Sequence, residues 1–117
     1  MTDITPATGL TLHLAPREVW ERQASTPEYT PEAFVQDGFI HCTDGDDDLI
    51  AVGNRYYTGD RRAFVALTIQ LDRVAARTVY EDAARIFPHI YGLLETAAVI
   101  DVRDVRRGDG GEFIGIG

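Results

Sequence analysis

Lysine is absent from this sequence, and all eleven of its basic residues are arginine. The absence excludes Schiff-base chemistry, a lysine-linked pyridoxal phosphate and a phosphate-loop lysine. Nineteen acidic residues outnumber the arginines and give a formal net charge of −8. Because nucleic-acid binding requires a basic surface that neutralises many phosphates, we expect no nucleic-acid partner. A small-molecule ligand, even an anionic one, remains compatible with this charge because one or two arginines suffice to bind it.

Cysteine and long apolar runs are also scarce. The single cysteine, Cys42, excludes an internal disulfide. No apolar run approaches the roughly 20 residues that a membrane-spanning helix requires, and residues 1–6 lack the basic and apolar regions of a secretory signal. We therefore expect a cytoplasmic protein with no membrane partner. With 117 residues, 44% of them hydrophobic, the chain predicts a single domain over residues 1–117.

Hydrophobic periodicity predicts several strands and two helices. In residues 10–14, leucines alternate with Thr11 and His13, which indicates a strand with one apolar face and one outer face. Helical spacing covers residues 15–24 and 49–57, both in the N-terminal half. Further strands are predicted in residues 37–43, 64–71, 78–81, 97–105 and 112–117. This pattern predicts an α+β fold, with one or more curved, mainly antiparallel sheets and two helices packed against them.

The stretch Asp37–Thr43, with the sequence DGFIHCT, carries the first candidate site. Asp-Gly is a turn dipeptide, and the residues after it fit a half-buried strand. Successive side chains in a strand face opposite ways, so Phe39, His41 and Thr43 would share one face. Cys42 would point away from them as a small buried thiol. The stretch therefore predicts a histidine beside a hydroxyl group.

A second histidine stretch, Phe87–Gly92 (FPHIYG), follows far downstream. Its proline stiffens the backbone next to His89 and Tyr91. We predict that the fold brings the two stretches together, so that His41 and His89 line one cavity. Imidazole titrates near neutral pH, which suits either ring to act as a general acid or base. A structural alternative stays open for each: His41 would be a core histidine whose nitrogens bond to backbone groups, and Pro-His-Ile-Tyr would form a rigid corner in which Tyr91 bonds to the backbone.

Metal binding is the next function to consider, because three imidazoles form one type of catalytic zinc site. His13, His41 and His89 show no His-x-His or His-x3-His spacing. The acidic run Asp44–Asp48 lacks the pattern of a calcium loop. We therefore expect no metal. The acidic run instead predicts the N-cap and first turn of the second helix, where carboxylates face its positive end.

These motifs together carry a resemblance to a known family. DGFIHCT, an aromatic-ended helix and FPHIYG before a final strand are similar to a small, mostly bacterial family, the domain of unknown function numbered nine hundred fifty-two. The resemblance spans about Leu10 to Phe113, which would be the core of the domain. That family is grouped by fold with the ADP-ribosyltransferases, which bind NAD in a cleft between two small sheets. The resemblance therefore implies this fold, with NAD or a related nucleotide as the bound molecule.

The resemblance also implies roles for individual residues. In ADP-ribosyltransferases the first strand offers a histidine or arginine to the NAD ribose, the next strand and helix supply a hydroxyl and aromatic rings, and a late strand supplies a glutamate. The substrate-binding residues implied here are His13, Thr43, Asn54, Tyr56 and Tyr91. The late position falls near His89, so the implied catalytic residues are His41, His89 and Glu81, the nearby acid.

Three functions stay open at the level of the sequence. The first is a small enzyme that transfers or hydrolyses a glycosyl or ADP-ribosyl group, with histidine acid–base catalysis and Glu81 as the orienting carboxylate. The second is a non-catalytic module that binds a small molecule. The third is a protein-interaction domain with structural histidines. Arg55, Arg61 and Arg62, near the end of the second helix, are the candidate phosphate ligands.

Overall fold

Short antiparallel strands and three helices make up the computed structural model, which describes residues 4–117. The strands are β1 (Thr5–Pro6), β2 (Leu10–Pro16), β3 (Glu28–Tyr29), β4 (Ile40–His41), β5 (Phe64–Gln70), β6 (Arg77–Tyr80), β7 (Pro88–Tyr91), β8 (Leu94–Glu95), β9 (Val99–Arg107) and β10 (Phe113–Ile116). The helices are α1 (Arg17–Gln23), α2 (Phe34–Asp37) and α3 (Asp46–Tyr56). This mixed architecture of antiparallel sheets agrees with the predicted α+β class, with three helices in place of two.

The larger sheet has the strand order β10-β9-β5-β2 and is buried on both faces at β2. Leu12 and Leu14 pack towards α3, whereas Ala15 lies in the other core cluster, with residues of α1 and the second sheet. The prediction that Thr11 and His13 lie on an open, outer face of this strand was therefore wrong. Thr11 and His13 are both buried, because the second sheet and α1 cover the side that the alternation had suggested was open.

The second sheet has the order β1-β6-β7-β4, and a separate pair joins β3 to β8. β4 pairs with β7 so that Ile40 is opposite Ile90 and His41 is opposite His89. Just beyond β4, the backbone N–H of Thr43 donates to the carbonyl of Leu12 at 2.8 Å, and the backbone carbonyl of Thr43 accepts from the N–H of Leu12 at 3.0 Å. These two hydrogen bonds join the edges of the two sheets, which brings the DGFIHCT stretch against the larger sheet.

Only part of the DGFIHCT stretch is a strand. Asp37 is the last residue of α2, and Gly38 follows in the left-handed conformation with φ of +75°. Its N–H donates to the Phe34 carbonyl at 2.8 Å, which closes the helix. Glycine adopts this conformation without the steric cost that other residues carry, and so it ends helices readily. The predicted strand over residues 37–43 is therefore shortened to Ile40–His41.

The acidic run before α3 is also used differently from the prediction. Gly45, with φ of +92°, occupies the N-cap position, and no side chain caps the helix there. Asp44 instead accepts hydrogen bonds from the Thr11 hydroxyl, at 2.6 Å, and from the Tyr80 hydroxyl. The three aspartates that follow form the first turn, as predicted, where they face the positive end of the helix. No helix in residues 4–117 has the length and apolarity needed to cross a membrane.

Candidate functional site

The candidate site is built on the pairing of β4 with β7. His41 and His89 are direct cross-strand partners, and their ring centroids lie 5.5 Å apart in an edge-on arrangement. Phe39 stacks on the His89 ring at 4.1 Å and lies 4.6 Å from the His41 ring. Side chains that oppose each other across a strand pair project from the same face. The two histidine stretches therefore come together as the sequence predicted.

Each histidine contacts a carboxylate. His41 Nε2 lies 2.9 Å from Oδ2 of Asp37, and His89 Nδ1 lies 3.3 Å from Oε1 of Glu81. An ionised carboxylate only accepts hydrogen bonds, so it selects the imidazole tautomer that carries its proton on the contacting nitrogen. Nδ1 of His41 and Nε2 of His89 are then left with lone pairs. Within residues 4–117, neither of these nitrogens has a hydrogen-bond partner.

Glu81 is held in its ionised form. It accepts a hydrogen bond from the hydroxyl of Tyr91 as well as the contact from His89. These hydrogen bonds, with that of Tyr91 the larger effect, lower the pKa of the Glu81 carboxyl below its ordinary value. Tyr91, which was implied to bind substrate, thus lies beside His89 and fixes Glu81. The arrangement of base, orienting acid and supporting hydroxyl resembles that of an oriented catalytic histidine.

A cleft of about 840 Å³ opens between this histidine pair and α3. One wall contains His41, His89 and Glu81, and the other contains Val52, Arg55 and Tyr56 of α3. The volume falls within the range of roughly 300–1,000 Å³ that is usual for small-molecule pockets. Of the residues implied to bind substrate, Tyr56 and Thr43 line this cleft.

Thr43 and Cys42 lie at the buried end of the cleft, with exposures of 4% and 2%. The Thr43 hydroxyl makes no hydrogen bond with any group in residues 4–117, whereas its backbone is fully engaged with Leu12. Burial raises the pKa of the Cys42 thiol, so this sulfur stays protonated and is a poor nucleophile. Cys42 also belongs to the core cluster, which agrees with its prediction as a buried thiol.

His13 is not part of the cleft, which corrects the role implied for it. It is 7% exposed and borders a smaller cavity of about 110 Å³, which shares His41 and Tyr57 with the cleft. Its Nδ1 lies 2.7 Å from the His41 carbonyl and its Nε2 lies 3.3 Å from the Tyr29 hydroxyl. A carbonyl only accepts, so Nδ1 donates to it and Nε2 accepts from Tyr29. Burial lowers the pKa of His13 to about 4, and the neutral ring holds the backbone of His41 in place.

Asn54 also differs from its implied role. Its side-chain amide donates to the carbonyl of Phe113 at 3.0 Å, and its carbonyl accepts from the N–H of Phe113 at 2.7 Å. This pair of hydrogen bonds fastens α3 to the edge strand β10. Asn54 is therefore a structural residue on the side of α3 that faces β10, away from the cleft.

Of the three arginines proposed as phosphate ligands, one lines the cleft and two do not. Arg62 bonds to three carboxylates, those of Asp60, Glu32 and Glu18. Arg61 donates to the carbonyl of Asp109 at 2.9 Å. Neither lines the cleft. Arg55 does, and its guanidinium carbon lies 5.5 Å from the centre of the Tyr56 ring.

Several cleft residues were not identified as site residues from the sequence. Asp37 lies only four positions before His41, but in the expected strand it would not reach the ring. It does so because Gly38 turns the chain back on itself. Asp48 and Asp82 line the cleft too, and their positions depend on the packing of α3 and of the loop after β6. No local sequence signal indicates these two placements. Across residues 4–117, no three His, Cys, Asp or Glu side chains are grouped to hold a metal ion.

Residues 14–102 match the family described as "Protein of unknown function (DUF952)". This chain belongs to the DUF952 family. The matched span begins in β2 and ends in β9, so it contains both histidines, their carboxylates and the whole wall of the cleft. The site described above therefore lies inside the region that defines the family.

Solved structures with the same fold come from Caulobacter crescentus. The crystal structure of its protein CC0527 is 19% identical, with a TM-score of 0.75 over 90% of this chain and 93% of that chain. The solution NMR structure of CC0527 is 20% identical, with a TM-score of 0.64 over 87% of this chain and 89% of that chain. At these identities the likeness shows a shared fold. Among curated proteins, no relative matches.

Proposed function

We propose that this DUF952 protein is a small enzyme that breaks an N-glycosidic bond to ribose, by transfer or hydrolysis, as a divergent member of the ADP-ribosyltransferase-like group. The observation that carries the proposal is the cross-strand pair His41 and His89, each ring oriented by its own carboxylate, in the wall of the cleft. A cleft of about 840 Å³ accommodates a nucleoside, or the ribosyl end of NAD.

His89 is the general base in this proposal. Its Nδ1 is held by Glu81, which leaves Nε2 with a free lone pair, and the residue lines the cleft. In hydrolysis, the oxygen of a water molecule attacks the anomeric carbon and its proton passes to Nε2. The carbon–nitrogen bond breaks, and its electron pair returns to the ring nitrogen of the leaving base. His41, when its ring carries a second proton, donates that proton to a leaving base that requires one.

The carboxylates near the histidines serve the same reaction. Cleavage of a glycosidic bond passes through a state with oxocarbenium character, in which positive charge develops on the sugar. Glu81 is ionised and its neighbour Asp82 also lines the cleft, so both would stabilise this charge. In this way Glu81 supplies, next to His89, the negative charge that the transferases obtain from a late-strand glutamate.

A non-catalytic binding module is the second candidate. The unpaired Thr43 hydroxyl and the two free imidazole nitrogens are suited to bind ribose hydroxyls whether or not a bond is broken. The two candidates share one ligand and differ in turnover, so a single assay separates them.

The test uses chromatography to measure release of nicotinamide from nicotinamide riboside. We expect release by the wild type and a loss of roughly 10²–10⁴-fold in His89→Ala, the usual range for removal of a general base. Asp101→Asn, at an exposed position of β9, is a control and should match the wild type. Binding without release would support the second candidate. Equal rates for His89→Ala and wild type would contradict the assignment of the base.

A further inference from the structure

We infer that the cleft selects a ligand whose bound end is an organic cation that carries hydroxyl groups and no phosphate. The inference rests on the proposed function for the ribosyl part of the ligand. The charge of the ligand is argued separately, from the lining of the cleft.

Negative charge dominates that lining. Four carboxylates, from Asp37, Asp48, Glu81 and Asp82, face one guanidinium, from Arg55. With neutral imidazoles the lining has a formal charge of −3. A concave surface with charge of one sign concentrates ligands of the opposite sign and repels those of its own. A pyrophosphate or a phosphate monoester would bring negative charge into a site that is already negative.

Asp48 is a carboxylate of this lining that no cationic side chain neutralises. Its carboxylate makes no hydrogen bond or ion pair within residues 4–117, whereas the neighbouring Asp46 pairs with Arg103 at 2.8 Å. Asp82 accepts from the backbone N–H groups of Ile86 and Phe87, at 2.8 and 3.2 Å, and these neutral donors leave its charge in place. A cationic ligand would therefore find one free carboxylate on α3 and a second on the opposite wall.

Aromatic rings complete the environment of an organic cation. Tyr56, Tyr57 and Phe87 line the same cleft. Tyr56 is 66% exposed, and the nearest cation to its ring is the Arg55 guanidinium at 5.5 Å. Aromatic faces attract organic cations more strongly when the contact is sheltered from water. A ligand cation between these rings and Asp48 would gain both interactions.

The hydroxyl of Thr43 is a second reason to expect a ligand, and it does not depend on the carboxylates of the cleft. It is 4% exposed and borders the cleft, and its hydroxyl has no partner in residues 4–117. Among the side chains of residues 4–117, the fully buried oxygen without a partner is Oε1 of Glu95, so the Thr43 hydroxyl is not sealed off and a ligand in the cleft can reach it. A hydroxyl of the ligand would supply the missing bond. The combined chemistry is that of a hydroxyl-bearing cation such as an N-ribosylpyridinium.

The test compares three closely related probes by isothermal titration calorimetry at physiological ionic strength. Nicotinamide riboside is a cation, its dihydro form has nearly the same size and no charge, and nicotinamide mononucleotide adds a phosphate. We expect the first to bind at least roughly tenfold more tightly than either of the others. Asp48→Asn should remove much of this preference, while Asp101→Asn makes the same change of charge on β9 and should preserve it.

The possible results separate this inference from the proposed function. Tighter binding of the cation, without release of nicotinamide, supports the inference and contradicts the enzyme. Release of nicotinamide with equal affinity for the charged and uncharged probes supports the enzyme and overturns the inference. Tighter binding of the mononucleotide, or no binding of any probe, also overturns it.

Discussion

The three histidines of this chain have three different environments. His13 is buried and uses both ring nitrogens within the protein. His41 and His89 each use one nitrogen for a carboxylate, and the other nitrogen has no hydrogen-bond partner in residues 4–117. Because the His13 ring holds the His41 carbonyl, the buried histidine supports the position of an exposed one. Residue type alone does not distinguish these roles, since they depend on how many nitrogens the protein itself occupies.

His13 should make the stability of the protein depend on pH. Burial lowers its pKa from 6.5 to about 4, so between these values the unfolded chain binds a proton that the folded chain does not. The stability present above pH 6.5 is therefore lost as the pH falls towards 4, by roughly 3 kcal/mol in full. Urea unfolding at several pH values measures this loss. His13→Gln should flatten the dependence, and an unchanged dependence in that variant would contradict the assignment.

Asn54 provides a test of whether a residue implied to bind substrate is structural. Asn54→Ala leaves the N–H and carbonyl of Phe113 without their side-chain partners. We expect a loss of roughly 1–3 kcal/mol in the free energy of unfolding, measured in urea. Affinity for nicotinamide riboside should stay at the wild-type value, because Asn54 faces away from the cleft. A loss of affinity in a variant that remains folded would restore Asn54 as a binding residue.

At the scale of elements, α3 serves two purposes on two sides. Leu49 and Gly53 are buried on the side of α3 that packs on the larger sheet, which includes β10. Asp48, Val52 and Tyr56 line the cleft. Residues four apart lie on the same side of a helix, and the two sets follow this spacing. The position of the cleft wall is therefore set by how closely α3 packs on the sheet.

That closeness depends on Gly53. A Cβ atom there would lie 2.5 Å from the nearest atom of the Phe113 ring. Gly53→Ala should therefore destabilise the protein by roughly 1–3 kcal/mol through overpacking, although alanine favours helices. Gly59→Ala is the matched control, because a Cβ atom at Gly59 meets nothing within 4 Å. Urea unfolding compares the two variants, and equal stabilities would show that α3 is free to shift outward.

The elements that the sequence predicted well are those whose pattern and surroundings agree. β5 alternates regularly, and its residues Val65, Leu67 and Ile69 all lie in one core cluster, as expected. Both β5 and β2 are covered on both faces, but the second face of β2 carries polar residues, so alternation between apolar and polar residues could not reveal that Thr11 and His13 are buried. The end of α2 at Gly38 was missed because Asp-Gly indicates a turn without showing what precedes it.

At the scale of the whole molecule, the site arises where the two sheets meet. The histidines could be predicted because two short motifs contain them. Their environment could be predicted only in part: Glu81 was named as the acid near His89, whereas Asp37 and Asp48 come from α2 and α3, and only the packed fold places them around the same cleft. The net charge of −8 led to the expectation of no nucleic-acid partner, but it could not show that part of this charge is concentrated in the cleft.

The central claim is that His41 serves a ligand and not the stability of the fold, and thermal unfolding of His41→Ala tests it most directly. The side chain is 58% exposed, so its removal should cost about 1 kcal/mol or less. Nicotinamide riboside should raise the melting temperature of the wild type and leave that of the variant unchanged, since only a protein that binds the ligand is stabilised. A large drop in melting temperature, with an unchanged response to the ligand, would contradict the account.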